Sequence, residues 1–243
     1  MIKRIFAPFL LLLFSTVSVA QTEHVVIAAE DAWTPYSNAD GTGMANDLII
    51  AAFDAVDVSV EFHVYPYARV LRYLDAGSYV AGFNVPIDSE SQSKYLLGNT
   101  PLYKAYSAYY HNTRWPLAAL NRDQLNGELI GVVREYGYGQ HYLEMLETGK
   151  VIAAEANADL PNVKRLELGR LDGAIIFIKA ANYLRRADEI PDNIQIAFLN
   201  EGTDIYLAFS REHPDGARLQ KLFEKGLQII IDNGERDRIL ESY

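Results

Sequence analysis

The chain contains no cysteine, so disulfide bonds and thiolate metal ligands contribute nothing to it. Its five histidines are scattered, without the spacing of a metal site. The glycine pairs Gly41–Gly43 and Gly137–Gly139 lack the third glycine of a dinucleotide-binding loop, and neither a phosphate-loop lysine motif nor a Gly-x-Ser-x-Gly elbow occurs. We therefore predict that the protein has no metal, no cofactor and no catalytic residue, and that it is not an enzyme.

Basic residues are also scarce, with 22 lysines and arginines against 32 acidic residues and a formal net charge of −10. A surface of this sign excludes nucleic acid as a partner, because phosphate backbones would be repelled. One long apolar run occurs, near the start: basic Lys3 and Arg4 precede apolar Phe9–Phe14, and small residues follow at Ser18–Ala20. This pattern predicts a secretory signal peptide at residues 1–20, cleaved after Ala20, and a mature protein in the bacterial periplasm.

Strand and helix patterns alternate along the rest of the chain. β-Branched segments such as Val58–Val64 and Leu129–Val133 predict strands, and the apolar spacing of residues 215–233 predicts a long closing helix. We expect a loop at residues 87–92, a short helix at residues 120–127, and separate strands at residues 194–199 and 206–210. Such alternation predicts an α/β fold with parallel sheets flanked by helices.

The alternating pattern restarts near Asn112, and its units are too many for one compact sheet of this length. We predict two α/β lobes. Residues 21–111 and 200–243 form the first lobe, and residues 112–199 form a second lobe inserted into it, so that the chain crosses between the lobes twice. A single doubly wound sheet is the alternative that the sequence leaves open.

Several segments carry a resemblance to a known family: EDAWTPYSNADGTGMANDLIIAAF, VYPYARVLRYLDAG, YLLGNTPLY, LNGELIGVVREYGYG, LELGRLDGAI and YLAFSREHPDGARLQKLFEKGLQIIIDNG. In this order the chain resembles the bacterial extracellular solute-binding proteins of family 3, the periplasmic receptors of ABC importers for polar amino acids. The resemblance implies a two-lobed periplasmic binding protein fold of type II, with hinge crossings near Ser107–His111 and Leu199–Ser210. It also implies a monomer that closes on a small-molecule solute and delivers it to a membrane permease.

The resemblance places the ligand in the cleft between the lobes. The residues that we expect to line it are Glu30, Trp33, Tyr36, Tyr67, Arg69 and Asn84 from the first lobe, and Glu135, Tyr136, Tyr138 and Phe177 from the second. Trp33 and Tyr36 follow the carboxyl end of the first strand, where parallel sheets hold ligands, although the same residues could fill a core. Aromatic walls beside Glu30 or Glu135 suit a cationic or sugar-like solute.

Two charged anchors that the family uses for α-amino acids are missing. Gln92 stands where the resemblance expects an arginine for the ligand carboxylate, and an amide cannot replace a guanidinium fork. Phe177 stands five residues after Asp172, where the resemblance expects an aspartate for the ligand ammonium. Common amino acids should therefore bind weakly. Whether Arg69 takes over the anion role stays open.

These features indicate a receptor that captures a small polar solute, amino-acid-like or other, for ABC import. Two alternatives stay open. One is an enzyme on the same scaffold, of the cyclohexadienyl dehydratase kind, with Glu30 or Glu135 as its acid–base group. The other is a soluble receptor that reports to a membrane sensor.

Overall fold

The computed structural model describes residues 23–243, so the predicted signal peptide lies outside the described residues. The elements from residue 23 to residue 112 are β1 (Glu23–Glu30), β2 (Ala32–Trp33), β3 (Ser37–Asn38), α1 (Met44–Asp54), β4 (Val58–Tyr65), α2 (Tyr67–Asp75), β5 (Ala81–Pro86), α3 (Ser89–Lys94), β6 (Tyr95–Leu96) and β7 (Tyr103–Asn112). A 3-10 turn at Arg122–Gln124 is followed by β8 (Glu128–Val133), α4 (Gln140–Glu147), β9 (Val151–Ala156), α5 (Asp159–Glu167), β10 (Gly173–Phe177), α6 (Ile178–Arg186), β11 (Ile194–Ser210), α7 (Gly216–Asp232) and α8 (Glu235–Glu241).

One mixed sheet of nine strands connects these elements, in the order β4–β1–β5–β11–β7–β10–β8–β9 with β6 beside β11. Its two ends are parallel, because β1 runs parallel to β4 and β5, and β8 runs parallel to β9 and β10. We call β4, β1 and β5 the first strand group, and β10, β8 and β9 the second. The expectation of parallel sheets therefore holds within each group.

The middle of the sheet is antiparallel, because β7 and β11 pair with each other and connect the two strand groups. The register between β7 and β11 shifts between Ile196 and Phe198 and again between Leu199 and Gly202. Bulges of this kind bend a strand without ending it. The prediction of two separate strands in this region is wrong, because the polar residues between them continue the pairing as one strand of 17 residues.

Two other local predictions differ from the structure. Residues 87–92 were expected to form a loop, but α3 begins there because Asp88 and Ser91 cap it reciprocally. The Asp88 carboxylate accepts from the Ser91 backbone N–H at 2.7 Å, and the Ser91 hydroxyl accepts from the Asp88 N–H at 3.0 Å. This capping box compensates for a serine-rich sequence of low helix propensity. The helix expected at residues 120–127 is only the short 3-10 turn.

Helices α1 and α7 pack closely against each other at a glycine. A side-chain carbon at Gly226 of α7 would overlap the carbonyl oxygen of Ala52 in α1. The two helices also bring the rings of Phe53 and Phe223 to 5.1 Å between centroids. The backbone of one helix therefore lies directly on the other, where no methyl group fits.

Replacing Gly226 by alanine is expected to lower the free energy of unfolding by about 1–3 kcal/mol, because the added methyl group forces the helices apart. Urea denaturation measures the change. Lys225→Ala, at an exposed position of the same helix, is the matched control and should change stability little. Equal stability of the Gly226→Ala variant and the parent would contradict the packing described for α1 and α7.

Across residues 23–243, no helix combines the length and apolar character that a bilayer crossing requires.

Candidate functional site

Glu30 ends β1 and is almost completely buried, with 1% of its surface exposed. Its carboxylate accepts a hydrogen bond from Asn84 Nδ2 at 3.0 Å and another from the hydroxyl of Tyr136. Asn84 belongs to β5 of the first strand group, whereas Tyr136 follows β8 of the second. A single buried carboxyl group therefore joins the two strand groups.

Asn84 is held by several contacts at once. Its backbone has a φ of 66°, in the left-handed region that asparagine adopts more readily than most residues. Its side-chain oxygen accepts from the Tyr103 hydroxyl at 2.6 Å, and its backbone carbonyl accepts from the Tyr67 hydroxyl at 3.3 Å. The Tyr103 contact directs the amide nitrogen of Asn84 toward Glu30.

Tyr136 reaches Glu30 from a tight turn after β8. Its backbone N–H donates to the carbonyl of Val133 at 3.2 Å, and Glu135 between them has a φ of 64°. A left-handed conformation costs about 1 kcal/mol or more for a glutamate, and such strain concentrates at functional sites. The turn thus holds Tyr136 toward the first strand group, while the side chain of Glu135 is exposed.

Aromatic rings that follow β1 pack against rings at the ends of β8 and β10. The ring of Trp33 lies 4.3 Å from that of Tyr36, 4.7 Å from that of Phe177 and 5.4 Å from that of Tyr136, between centroids. The indole Nε1 of Trp33 is buried and has no hydrogen-bond partner within the described part of the chain. A buried N–H without an acceptor is costly, and a bound solute could supply that acceptor.

The space that remains among these groups is a cavity of about 10 Å³, which is about the size of one water molecule. The residues that line it are Trp33, Tyr67, Asn84, Pro86, Tyr136, Gly137, Phe177 and Ile205. They come from both strand groups and from β11. We call this cavity, together with Glu30, the cleft site.

Burial shifts the acid–base properties of the cleft site. Desolvation raises the pKa of Glu30 to about 8, although its hydrogen bonds from Tyr136 and Asn84 act in the opposite direction. At neutral pH this carboxyl group therefore keeps its proton for most of the time. Desolvation also raises the pKa of Tyr136 and Tyr138 well above the usual range, so both hydroxyl groups stay neutral.

A second acid, Asp159, is also buried, with 6% of its surface exposed. Asp159 begins α5, which follows β9 of the second strand group, and burial raises its pKa to about 7. Its Oδ1 atom is buried and has no hydrogen-bond partner among residues 23–243. The charge of Asp159 is among the causes that raise the pKa of Glu30, Tyr36 and Tyr136.

The structure brings together most of the residues singled out in the sequence. Those that it places in or directly around the cleft site are Glu30, Trp33, Tyr36, Tyr67, Asn84, Tyr136, Tyr138 and Phe177. Arg69 is exposed on α2 and does not line the cavity, because the same turn of helix directs Tyr67 and Val70 inward instead. Glu135 lines a neighbouring groove of about 260 Å³ that shares Tyr67 and Pro86 with the cavity.

Two residues that support the site, Tyr103 and Asn200, and the buried acid Asp159 were not singled out in the sequence. Asn200 in β11 donates to the backbone carbonyl of Tyr138 at 2.8 Å and to the hydroxyl of Ser107 at 3.0 Å. β9 ends at Ala156 and α5 begins at Asp159, so the rule that ligands bind beyond strand ends would have singled out this segment. Within residues 23–243, no group of three or more histidine and acidic side chains is arranged to hold a metal ion.

Replacing Tyr136 by phenylalanine removes the hydroxyl group that joins the two strand groups at Glu30. We expect it to lower the free energy of unfolding by about 1–2 kcal/mol and to speed amide hydrogen exchange around the turn after β8. Hydrogen exchange followed by mass spectrometry measures the second effect. The matched control is Tyr142→Phe, a buried tyrosine of α4 that packs on Tyr138 at 5.4 Å. Unchanged exchange in the Tyr136→Phe variant would contradict a connecting role for this hydroxyl group.

Comparison with known proteins identifies the architecture. No protein-family model matches the chain. No curated protein sequence matches it either. Solved structures do match, over nearly the full length of the described residues.

Three of these structures illustrate the similarity. A histidine kinase sensor domain with similarity to periplasmic binding proteins has a TM-score of 0.79 and 18% identity, covering 90% of this chain and 95% of that one. An ancestral arginine-binding protein bound to arginine has a TM-score of 0.77 and 18% identity, covering 90% and 97%. An ancestral amino-acid-binding protein, a precursor of cyclohexadienyl dehydratase, has a TM-score of 0.73 and 17% identity, covering 90% and 94%.

At these identities the comparisons show the fold. The chain has the two-lobed α/β fold of periplasmic binding proteins, which confirms the fold class predicted from the sequence. The continuous sheet does not contradict two lobes, because the strand groups are joined only through β11, which pairs with β5, and β7, which pairs with β10.

Proposed function

We propose that this chain is a periplasmic solute-binding protein of the family 3 type, which closes on a small polar solute in the cleft site. In this proposal, residues 21–111 and 200–243 form the first lobe, residues 112–199 form the second, and β7 and β11 supply the hinge. The observation that carries the proposal is the contact between Glu30 and Tyr136. Two side chains from opposite strand groups meet at one buried, aromatic-walled carboxyl group.

The structural neighbours support this assignment. Neighbours whose structures contain a ligand hold arginine, glutamine or glutamate, all of them small polar molecules. The delivery partner that we propose is the membrane permease of an ABC importer, reached by a monomer in the periplasm. Common amino acids are expected to bind weakly, because α3 has the sequence SESQSK without an arginine and Phe177 is buried where an ammonium anchor would stand.

The two tryptophans offer a direct test of the site. Trp33 lies in the cleft site, whereas Trp115 is 55% exposed elsewhere. A Trp115→Phe variant therefore has Trp33 as its one fluorescent indole. Titration of this variant with pooled amines, sugars and amino acids should shift the Trp33 emission for the pool that contains the solute.

The matched control is Trp33→Phe, which leaves Trp115 as the reporter and should show no shift with the same pool. A signal from Trp115 together with silence from Trp33 would move the binding site away from the cleft. No signal from any pool, together with no small molecule found by native mass spectrometry of the protein purified from periplasm, would count against a receptor.

A receptor that informs a membrane sensor is a second candidate, supported by the sensor domain that shares the fold at a TM-score of 0.79. Deleting the gene distinguishes a role in import from a role in sensing. Loss of uptake of the labelled solute supports import, whereas intact uptake with a lost transcriptional response supports sensing.

An enzyme is a third candidate because of Glu30. A carboxyl group that keeps its proton near neutral pH, in a cavity with little water, has the properties of a general acid. Incubation with prephenate and with arogenate tests it. Turnover that Glu30→Gln abolishes would support an enzyme, and binding without turnover would support the receptor.

A further inference from the structure

The cleft site is filled by side chains of the chain itself. The space that remains is about 10 Å³, enough for one water molecule, so a larger solute binds here only when a lining side chain leaves. The lining side chains that are buried are Trp33, Tyr67, Asn84, Pro86, Phe177 and Ile205. Tyr136, by contrast, keeps part of its surface exposed. Tyr136 therefore lies between the cavity and the solvent, and it is the side chain that a solute can displace.

Tyr136 makes the contacts that a bound ring would make. Its hydroxyl group donates to the carboxyl group of Glu30. Its ring lies 5.4 Å from that of Trp33 and 5.6 Å from that of Tyr67, between centroids. Trp33 and Tyr67 belong to the first lobe of the proposed receptor, and Tyr136 belongs to the second. A ring of the second lobe thus occupies a pocket of the first.

The turn that carries Tyr136 is held by its neighbour rather than by the bond to Glu30. The Tyr138 hydroxyl accepts from the backbone N–H of Val133 at 2.8 Å, and the Tyr138 carbonyl accepts from Asn200 at 2.8 Å. These contacts lie within the second lobe and the hinge strand β11. Tyr136 can therefore leave Glu30 without loss of the turn.

A groove beside the cavity gives the displaced ring a place to go. The groove has a volume of about 260 Å³, and it meets the cavity at Tyr67 and Pro86. Glu135, the residue before Tyr136, lines it. The same groove offers a solute a path from the surface to the cavity.

A solute can make one hydrogen bond that Tyr136 does not make. The indole Nε1 of Trp33 is buried and has no acceptor in the described part of the chain. The Tyr136 hydroxyl bonds to Glu30 and leaves this donor without a partner. A molecule with one hydroxyl group for Glu30 and a second oxygen for Trp33 satisfies both, which favours it over the tyrosine ring.

The cavity also favours an uncharged molecule. The residues that line it include no lysine, arginine, aspartate or glutamate. An ion buried among them would lack a compensating charge, which is strongly unfavourable. Burial raises the pKa of Glu30 to about 8, so near neutral pH this group supplies a hydrogen-bond partner rather than a charge.

We propose, on the basis of the solute-binding function above, that Tyr136 occupies the position of the solute and is displaced by it, and that the solute is an uncharged ring with hydroxyl groups. One oxygen of the solute bonds to Glu30 and a second accepts from Nε1 of Trp33. The ring of the solute takes the place of the phenol ring of Tyr136.

Substitutions at Tyr136 distinguish a competing side chain from a wall of the site. A competitor lowers the measured affinity by the fraction of time that it fills the site, so weakening the competitor tightens binding. Phenol is the probe, because it is the group that Tyr136→Ala removes. Its binding to Tyr136→Phe is expected to be about 3- to 10-fold tighter than to the parent, and to Tyr136→Ala at least about 30-fold tighter. The emission of Trp33 in the Trp115→Phe background measures it, and the opposite order of affinities would overturn the proposal.

Tyr142→Ala is the matched control, because it removes a phenol group from a buried tyrosine of α4. Phenol should not shift the Trp33 emission of this variant. Benzene lacks the hydroxyl group and should bind to Tyr136→Ala about 5- to 10-fold more weakly than phenol. Equal binding of benzene and phenol would overturn the bond from the solute to Glu30.

Three probes of one shape test the charge of the solute. 4-Hydroxybenzyl alcohol is neutral, 4-hydroxybenzylamine is a cation and 4-hydroxybenzoate is an anion. The neutral probe should bind to Tyr136→Ala at least about 10-fold more tightly than either ion. Tighter binding of either ion would overturn the uncharged solute. Phenol and methyl β-glucoside then distinguish an aromatic from a sugar-like ring, and the tighter of the two in Tyr136→Phe identifies which one the site takes.

The same variants separate this proposal from the receptor function. A pool that shifts Trp33 emission in the parent, and binds more weakly to Tyr136→Phe, would make Tyr136 a wall of the site. That result would refute the displacement of Tyr136 while supporting a receptor. Silence from phenol, from the glucoside and from every pool, in the parent and in both Tyr136 variants, would refute both.

Discussion

Raising the pH from about 5 to about 9 is expected to lower the free energy of unfolding by several kcal/mol, because two buried acids hold protons in the folded state. Glu30 has its pKa raised from 4.5 to about 8, and Asp159 from 3.8 to about 7. Between these limits the folded chain binds protons that the unfolded chain releases. The stabilisation that these groups provide is therefore fully present below their pKa values in the unfolded chain. It is lost as the pH rises through their pKa values in the folded protein.

The size of this effect follows from proton linkage. Each retained proton contributes a slope of about 1.4 kcal/mol per pH unit, so Glu30 alone accounts for a change of about 4–5 kcal/mol across its window. Urea denaturation at a series of pH values measures it. In Glu30→Gln the slope of the free energy of unfolding against pH should decrease by the contribution of about one proton. In the double variant with Asp159→Asn it should decrease by the contribution of about two.

Glu167→Gln is the control. It removes an exposed acid of α5 and should leave the slope of the free energy of unfolding against pH unchanged. Parallel stability profiles for Glu30→Gln and the parent would show that Glu30 is ionised in the folded protein. That outcome would remove both the general-acid argument and the account of the cleft as a desolvated site.

Replacing Trp33 by alanine is expected to cost about 3–5 kcal/mol of folding stability, because a large buried side chain leaves a cavity. Trp33 is 3% exposed and contacts rings from both lobes. The two interpretations left open by the sequence, a core residue and a cleft residue, are therefore both consistent with its position. Urea denaturation measures the loss, and Trp115→Ala, at a half-exposed tryptophan, should cost much less.

The conservative variant Trp33→Phe keeps most of the volume and is the better probe of binding. It should remain folded while its affinity for the solute falls, since the phenyl ring lacks the buried indole N–H that a solute acceptor would satisfy. A Trp33→Ala variant as stable as the parent would mean that the ring does not pack between the lobes.

Much of the cleft site could be predicted because it follows a simple rule about sheets. Residues at or just past the end of a parallel strand gather at one edge of the sheet, and this rule predicts the placement of Glu30 at the end of β1 and of Tyr136 after β8. The rule says nothing about Arg69, whose position on α2 depends on which helix face packs inward. It was not applied to Asp159, whose polar surroundings resembled an ordinary helix start.

The elements that sequence reasoning missed depend on contacts distant in the chain. β11 continues through the polar residues Asn200 and Glu201 because β7 pairs with both sides of that region. Local alternation of apolar residues contains no information about such a partner. Helix α3 likewise depends on the reciprocal cap between Asp88 and Ser91, which a serine-rich composition conceals.

The distance between the two lobes tests the account most directly. Because the chain contains no cysteine, cysteines introduced at exposed Ser93 of α3 and Glu144 of α4 can be spin-labelled without background. Pulsed electron spin resonance should show a broad distance distribution that narrows to a short distance in the presence of the solute pool that shifts Trp33 fluorescence. A distribution that this pool leaves unchanged would contradict closure of the lobes on a solute.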